Sequence, residues 1–180
     1  RCKDWKIFGG LITGARIRPD AKTEAEEMKA LFATHPEYFP LVNGKRVLMR
    51  GYEQPCTSNP EVGRIMAEHA VMFSSRLAES NEFLIMNDDG TTWCECEACQ
   101  ALDPPDEKSK NYRSTRYWTL LNRIFKDVLD EYPSIQAFGL AYQNFQTVPS
   151  GVKIDERINV GLSFNRRCFR HNLDDPKCLA

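Results

Sequence analysis

The sequence has no long hydrophobic run. Its longest apolar stretches resemble Phe83-Leu84-Ile85-Met86, far short of the roughly 20 residues that a membrane-spanning helix needs. No membrane span is therefore expected. An excess of either charge is also missing: 24 Lys and Arg stand against 25 Asp and Glu, a net charge of -1. Nucleic-acid binders usually carry a basic patch, so nucleic acid is not expected as the main partner. The first ten residues contain neither an initiator methionine nor a signal-peptide pattern, so the chain reads as processed or as a segment of a larger polypeptide. There is no internal repeat and no low-complexity stretch.

What is present is ordinary globular composition, 42% hydrophobic and 11% aromatic, with enough length for one domain with its own core over residues 1–180. The exception is cysteine. Seven are present: Cys2, Cys56, Cys94, Cys96, Cys99, Cys168 and Cys178. Such a count suggests disulfides in an oxidising compartment or a metal site in a reducing one. The odd number leaves at least one thiol free, metal-bound or paired outside the chain. An extracellular location is the favoured expectation.

Hydrophobic spacing marks the elements. Residues 6–12 read as a short strand between glycines. Residues 22–35 read as a helix, with Ala25, Met28, Leu31 and Phe32 at helical spacing. Asn43-Gly44 between two apolar runs predicts a hairpin over 38–49. Ser58 or Asn59, then Pro60 and Glu61, announce a helix start. The stripe Val62, Ile65, Met66, Ala70, Phe73 and Leu77 continues that helix. Residues 82–88 read as a strand covered on both faces. A polar loop follows the cysteines, then a helix over 111–132 with Tyr117, Leu120, Leu121, Ile124, Val128 and Leu129 inward. Strands are predicted at 135–142 and 157–164. Trp5, Tyr38, Phe39 and Trp118 are assigned to the core, and His35 and His69 stand isolated.

Strands alternating with long helices predict parallel βα units, hence an α/β fold. A full eight-stranded barrel usually needs about 250 residues, so the chain would supply part of a (β/α) TIM-barrel-like domain. In such folds sites gather where strands end. The loops after residues 87, 141 and 164 would then share one mouth, carrying Asp88, Asp89, Trp93, Tyr142, Asn144, Arg166, Arg167 and His171. A carboxylate at a strand end suits glycoside hydrolysis, and neighbouring negative charge would keep a proton available. Successive strand residues point opposite ways, so at most one of Asp88 and Asp89 would face the mouth. Asp-Asp-Gly also suits a plain turn. Trp93 and Tyr142 offer faces for sugar rings, and Asn144 an amide for hydroxyls.

Cys94-x-Cys96-x-x-Cys99 brings three sulfurs into one loop. Zinc needs four ligands, and Cys168, His171 or Cys178 would complete the set. Disulfides are the competing reading: Cys168 with Cys178, and a pair drawn from Cys56, Cys94, Cys96 and Cys99. Zinc aside, no cofactor is expected.

Taken in order, HPEYFPLVNGKR, QPCTSNPEV, NDDGTTWCECEACQAL, LAYQNF and CFRHNLDDPKC resemble the domain of unknown function 4838 family, over nearly the whole chain from Gly9 to Cys178. That family is grouped with TIM-barrel glycoside hydrolases, near the alpha-glucuronidases and beta-hexosaminidases. The resemblance implies a (β/α) barrel and a glycan substrate or ligand. It implies that Asp88 is the proton donor and that Asn87, beside it, belongs to the substrate site. Asp89 departs from the family pattern, which has small residues there. A secreted protein that binds glycan without cleaving it, and a zinc module built on the cysteines, are the alternatives.

Overall fold

A computed structural model of the chain describes residues 3–6, 21–75, 82–163, 170 and 175. Expectations placed on Cys2, Leu77, Arg166, Arg167, Cys168, His171 and Cys178 lie outside the described residues.

Strand β1 (Lys3–Lys6) is followed by helix α1 (Ala21–Thr34), then by the short strands β2 (Leu41–Val42) and β3 (Lys45–Arg46). Helix α2 (Pro60–Ser74) leads to β4 (Glu82–Met86). Two short helices, α3 (Glu97–Ala101) and α4 (Pro105–Ser109), precede the long α5 (Ser114–Glu131). Strands β5 (Gln136–Ala141) and β6 (Ile158–Leu162) close the series. The first described strand is Lys3–Lys6, and the strand expected over 6–12 lies, Lys6 apart, outside the described residues.

The main sheet has the order β1-β4-β5-β6 and every pairing in it is parallel. Among the described strands spatial order follows chain order, without the reversal that marks a doubly wound sheet. The described strands form an open sheet, so no closed barrel exists among the described residues. Parallel pairing sets all strand ends on one edge, and that edge carries the loops of interest.

Local chemistry explains the elements. Asn59 caps α2, its Oδ1 accepting from the amides of Glu61 at 2.9 Å and Val62 at 3.4 Å, while Pro60 occupies the first turn, where no amide hydrogen is needed. Asn43 and Gly44 both have positive φ, 49° and 76°, the geometry of a two-residue hairpin turn. The stripe expected on α5 is buried throughout, and α2 packs on it. Against β5 the approach is close: a Cβ on Gly139 would lie 2.7 Å from the Trp118 ring. Tyr38, Phe39 and Trp118 are in the core as expected.

In β4, Phe83 and Ile85 are buried, whereas Leu84 and Met86 are half-buried. The alternation continues in β5, where Ala137, Gly139 and Ala141 are buried and Phe138 and Leu140 half-buried. One face is covered by helices and the other is half-open, unlike the strand covered on both faces that the apolar run predicts. The polar loop after the cysteines holds α4. Its five residues are too short to show a helical period and are fixed by tertiary bonds through Glu107 instead. Among the described residues no helix is long and apolar enough to cross a membrane.

Candidate functional site

The loop that leaves β4 does two different things. Its first residues shape a buried polar corner. Asp88 is 4% exposed and Asn87 6%, whereas Asp89 is exposed. Residues 53–54 run alongside it through a bridge between Glu53 and Thr92 and a bond from the Gln54 amide to the Thr92 carbonyl, 2.9 Å. The Gln54 side chain, fully buried, donates Nε2 to the Asp88 carbonyl oxygen at 2.8 Å. Asn87 Nδ2 donates to that same oxygen. Both amides therefore use their nitrogens on one carbonyl. Their oxygens, Gln54 Oε1 and Asn87 Oδ1, are buried with no hydrogen-bond partner. Gln143 Oε1 is a third such atom. It lies two residues beyond β5, the strand paired with β4, at φ 48°.

An unfilled buried acceptor costs about 1–3 kcal/mol, so the two beside the Asp88 carbonyl call for donors. Gly90 lets the corner form. Its φ is 134°, and a Cβ there would meet the Tyr52 carbonyl oxygen at 2.3 Å, a conformation and an approach that only glycine tolerates.

Trp93 takes a position other than the expected sugar platform. It is 5% exposed, set edge-on to Phe145 with centroids 5.7 Å apart and to Tyr117 at 6.5 Å. Its Nε1 donates to Asn144 Oδ1 at 3.1 Å. Its ring is buried against Tyr117 and Phe145, themselves fully buried, and the Arg116 guanidinium lies 5.9 Å from its centre. Asn144 and Tyr142 are half-buried. A cavity of about 450 Å³ opens beside the loop, lined by Thr91, Trp93, Glu95, Asn111 and Arg113 among others, and Asp88 does not line it.

The second part of the loop carries sulfur. Cys94, Cys96 and Cys99 meet Cys56, which comes from the turn before α2, and the four Sγ atoms lie within 4.8 Å of one another. Cys56, Cys94 and Cys99 are buried and Cys96 is partly covered. All four are unbridged, with Cys56 Sγ 3.8 Å from both Cys96 Sγ and Cys99 Sγ. Donors surround the sulfurs. The Leu41 amide reaches Cys94 Sγ at 3.3 Å and the Ser58 amide reaches Cys99 Sγ at 3.4 Å. Arg46 Nη1 lies 3.6 Å from Cys94 Sγ. Hydrogen bonds with Cys56 and Cys94 hold the Cys99 thiol far below its ordinary range, with further help from Ser58 and Thr57. The Cys94 thiol is pushed up by its bonds with Cys56 and Cys99, and by burial.

Cys56 is the member that the spacing of the cysteines did not offer as a ligand. It precedes Cys94, the nearest of them in sequence, by 38 positions (94 − 56), and only the fold joins them. Gln54 and Gln143 carried no sequence signal at all, since a buried amide oxygen without a donor is visible only in three dimensions. His171, the histidine expected to complete a zinc set, lies outside the described residues.

Compared with known proteins, the chain matches no curated protein and no solved structure. Residues 21–177 match the model of one family, described as Domain of unknown function (DUF4838).

Proposed function

The chain belongs to the DUF4838 family, and on that premise we propose that it is a carbohydrate-active domain whose sheet is one arc of a (β/α) barrel and whose glycan site lies at the carboxyl edge of β4 and β5. The observation that carries this reading is the pair of buried amide oxygens on Gln54 and Asn87, left without donors beside Asp88 at the end of β4. A ligand that fills them must bring hydrogen-bond donors, and a polyhydroxylated ring brings several at once.

The barrel reading rests on strand order. Each later strand adds to the same edge in parallel, as in a singly wound barrel. The half-buried face with Leu84, Met86, Phe138 and Leu140 would then line the barrel interior. If the pleat of β4 continues, Asp88 falls on that same face.

In this reading Asp88 is the general acid: it gives a proton to the glycosidic oxygen as the bond breaks. Its backbone is fixed by two side chains on one carbonyl, which holds the carboxyl in place before substrate arrives. Asp89, exposed, is the weaker candidate for the second group. Asn144, oriented by Trp93, would take a hydroxyl, and Trp93 would serve by holding that amide rather than by stacking on a ring.

The test is Asp88→Asn in the full chain, screened on a glycan array and in a reducing-sugar assay. Lost hydrolysis with retained glycan binding and an unchanged circular-dichroism spectrum is the expected result. Full turnover by the variant would remove Asp88 from the mechanism. Glycan binding without hydrolysis by the parent chain would reduce the function to recognition.

A further inference from the structure

We infer that Cys56, Cys94, Cys96 and Cys99 form a closed tetrathiolate site for one zinc ion, which clasps the loop after β4 to the start of α2. This goes beyond the glycan reading and does not depend on it.

Geometry makes the argument. Four sulfurs placed tetrahedrally about zinc at about 2.3 Å are separated by about 3.8 Å along each edge. The Cys56 sulfur stands 3.8 Å from the Cys96 and Cys99 sulfurs, and all four lie within 4.8 Å. A disulfide needs about 2.05 Å and uses two sulfurs, so bridging any pair would disperse the group. Four is also the number that a structural zinc site requires, with no position left for water or substrate.

The surroundings suit the charge. Four thiolates about a divalent ion carry a net charge of −2, and thiolates under that load take hydrogen bonds from nearby donors. The amides of Leu41 and Ser58 and the guanidinium of Arg46 all point at sulfur. Two of these donors lie on or beside the β2–β3 hairpin, and the third opens α2. Further bonds fix two of them: the Glu95 amide, between Cys94 and Cys96, bonds the Leu41 carbonyl at 2.8 Å, and Arg46 also bonds the Phe39 carbonyl. Loading the site releases the thiol protons to solvent as the zinc–sulfur bonds form, with no change of oxidation state.

The test begins with the full chain, purified under reducing conditions without chelator and analysed for metals. One zinc per chain is expected. Exchange with cobalt(II) alone should give the intense visible absorption and thiolate charge-transfer bands of a tetrahedral sulfur site. Cys56→Ser should lose both the zinc and that spectrum, whereas His171→Ala and Cys168→Ser should keep them. Retention of zinc by Cys56→Ser, with loss in His171→Ala, would overturn the ligand set. Iron in place of zinc would overturn the metal assignment. Recovery of Cys56 in a disulfide, by mass spectrometry of alkylated protein from an oxidising compartment, would overturn the site altogether. Should Cys56→Ser fail to fold, the cobalt spectrum of the parent chain still decides between these outcomes.

Discussion

Arg116 and Asp103 form a buried two-pronged ion pair, with Nε 3.0 Å from Oδ1 and Nη2 2.5 Å from Oδ2. Both side chains are almost wholly covered. The remaining Arg116 nitrogen, Nη1, donates to the Cys94 carbonyl at 2.7 Å. The pair therefore anchors the cysteine loop to α5. The guanidinium also lies 5.9 Å from the centre of the Trp93 ring, within range of a cation–π contact.

Removing one partner should be far costlier than removing both. Asp103→Ala leaves a buried cation with one neutral acceptor, and a loss of about 3–5 kcal/mol is expected in chemical denaturation. Asp103→Leu combined with Arg116→Met should recover a good part of that loss. Equal destabilisation in the single and double variants would mean that losing the Arg116 bond to the Cys94 carbonyl costs as much as relieving the unpaired charge gains.

Gly90 and Gly51 offer a matched comparison. Both have positive φ, 134° and 93°, yet a Cβ on Gly51 meets nothing within 4 Å while one on Gly90 meets the Tyr52 carbonyl. Gly51→Ala should show backbone strain alone, about 1 kcal/mol. Gly90→Ala should fall about 1–3 kcal/mol further in stability, because the loop must shift as well. Thermal unfolding of the two variants measures the difference.

Asp155 supplies an acid-side dependence. Hydrogen bonds from the Arg157 side chain and its backbone amide hold the Asp155 carboxyl at about 2, below its ordinary 3.8. A carboxyl depressed in the folded state favours folding above its unfolded value, and that contribution is lost as pH falls through the folded one. The pair is partly solvated, so the contribution should be under about 1 kcal/mol. Asp155→Asn should flatten the stability profile between about pH 4 and pH 2. An unchanged slope would show that the bonds do not outlast solvent competition.

The sequence carried the fold wherever the cause was local. Asn59 caps the helix that it announces, Asn43-Gly44 turns the hairpin, and the α5 stripe is buried residue for residue. It was silent wherever the cause was distant. Trp93 looked like a loop aromatic because nothing nearby in sequence says that Tyr117 and Phe145 close around it. Helices α3 and α4 were hidden because five residues cannot display a period. Cys56 was visible as a cysteine but not as the neighbour of three others, since that relation depends on how the segment before α2 meets the loop after β4. Residues 54 and 143 were unremarkable glutamines until their oxygens were found without donors.

The placement of Cys56 also bears on the unfolded chain. The proposed zinc ion, shared by positions 56 and 94, would turn the stretch holding α2 and β4 into a ring, with the rest of the polypeptide as two tails. A ring of 38 links (94 − 56) has fewer ways to sprawl than an open thread, and the restriction is worth about 4 kcal/mol by chain-entropy reckoning. A protease or a denaturant acting on the loaded chain then meets a lasso, whose noose loosens only when the ion leaves.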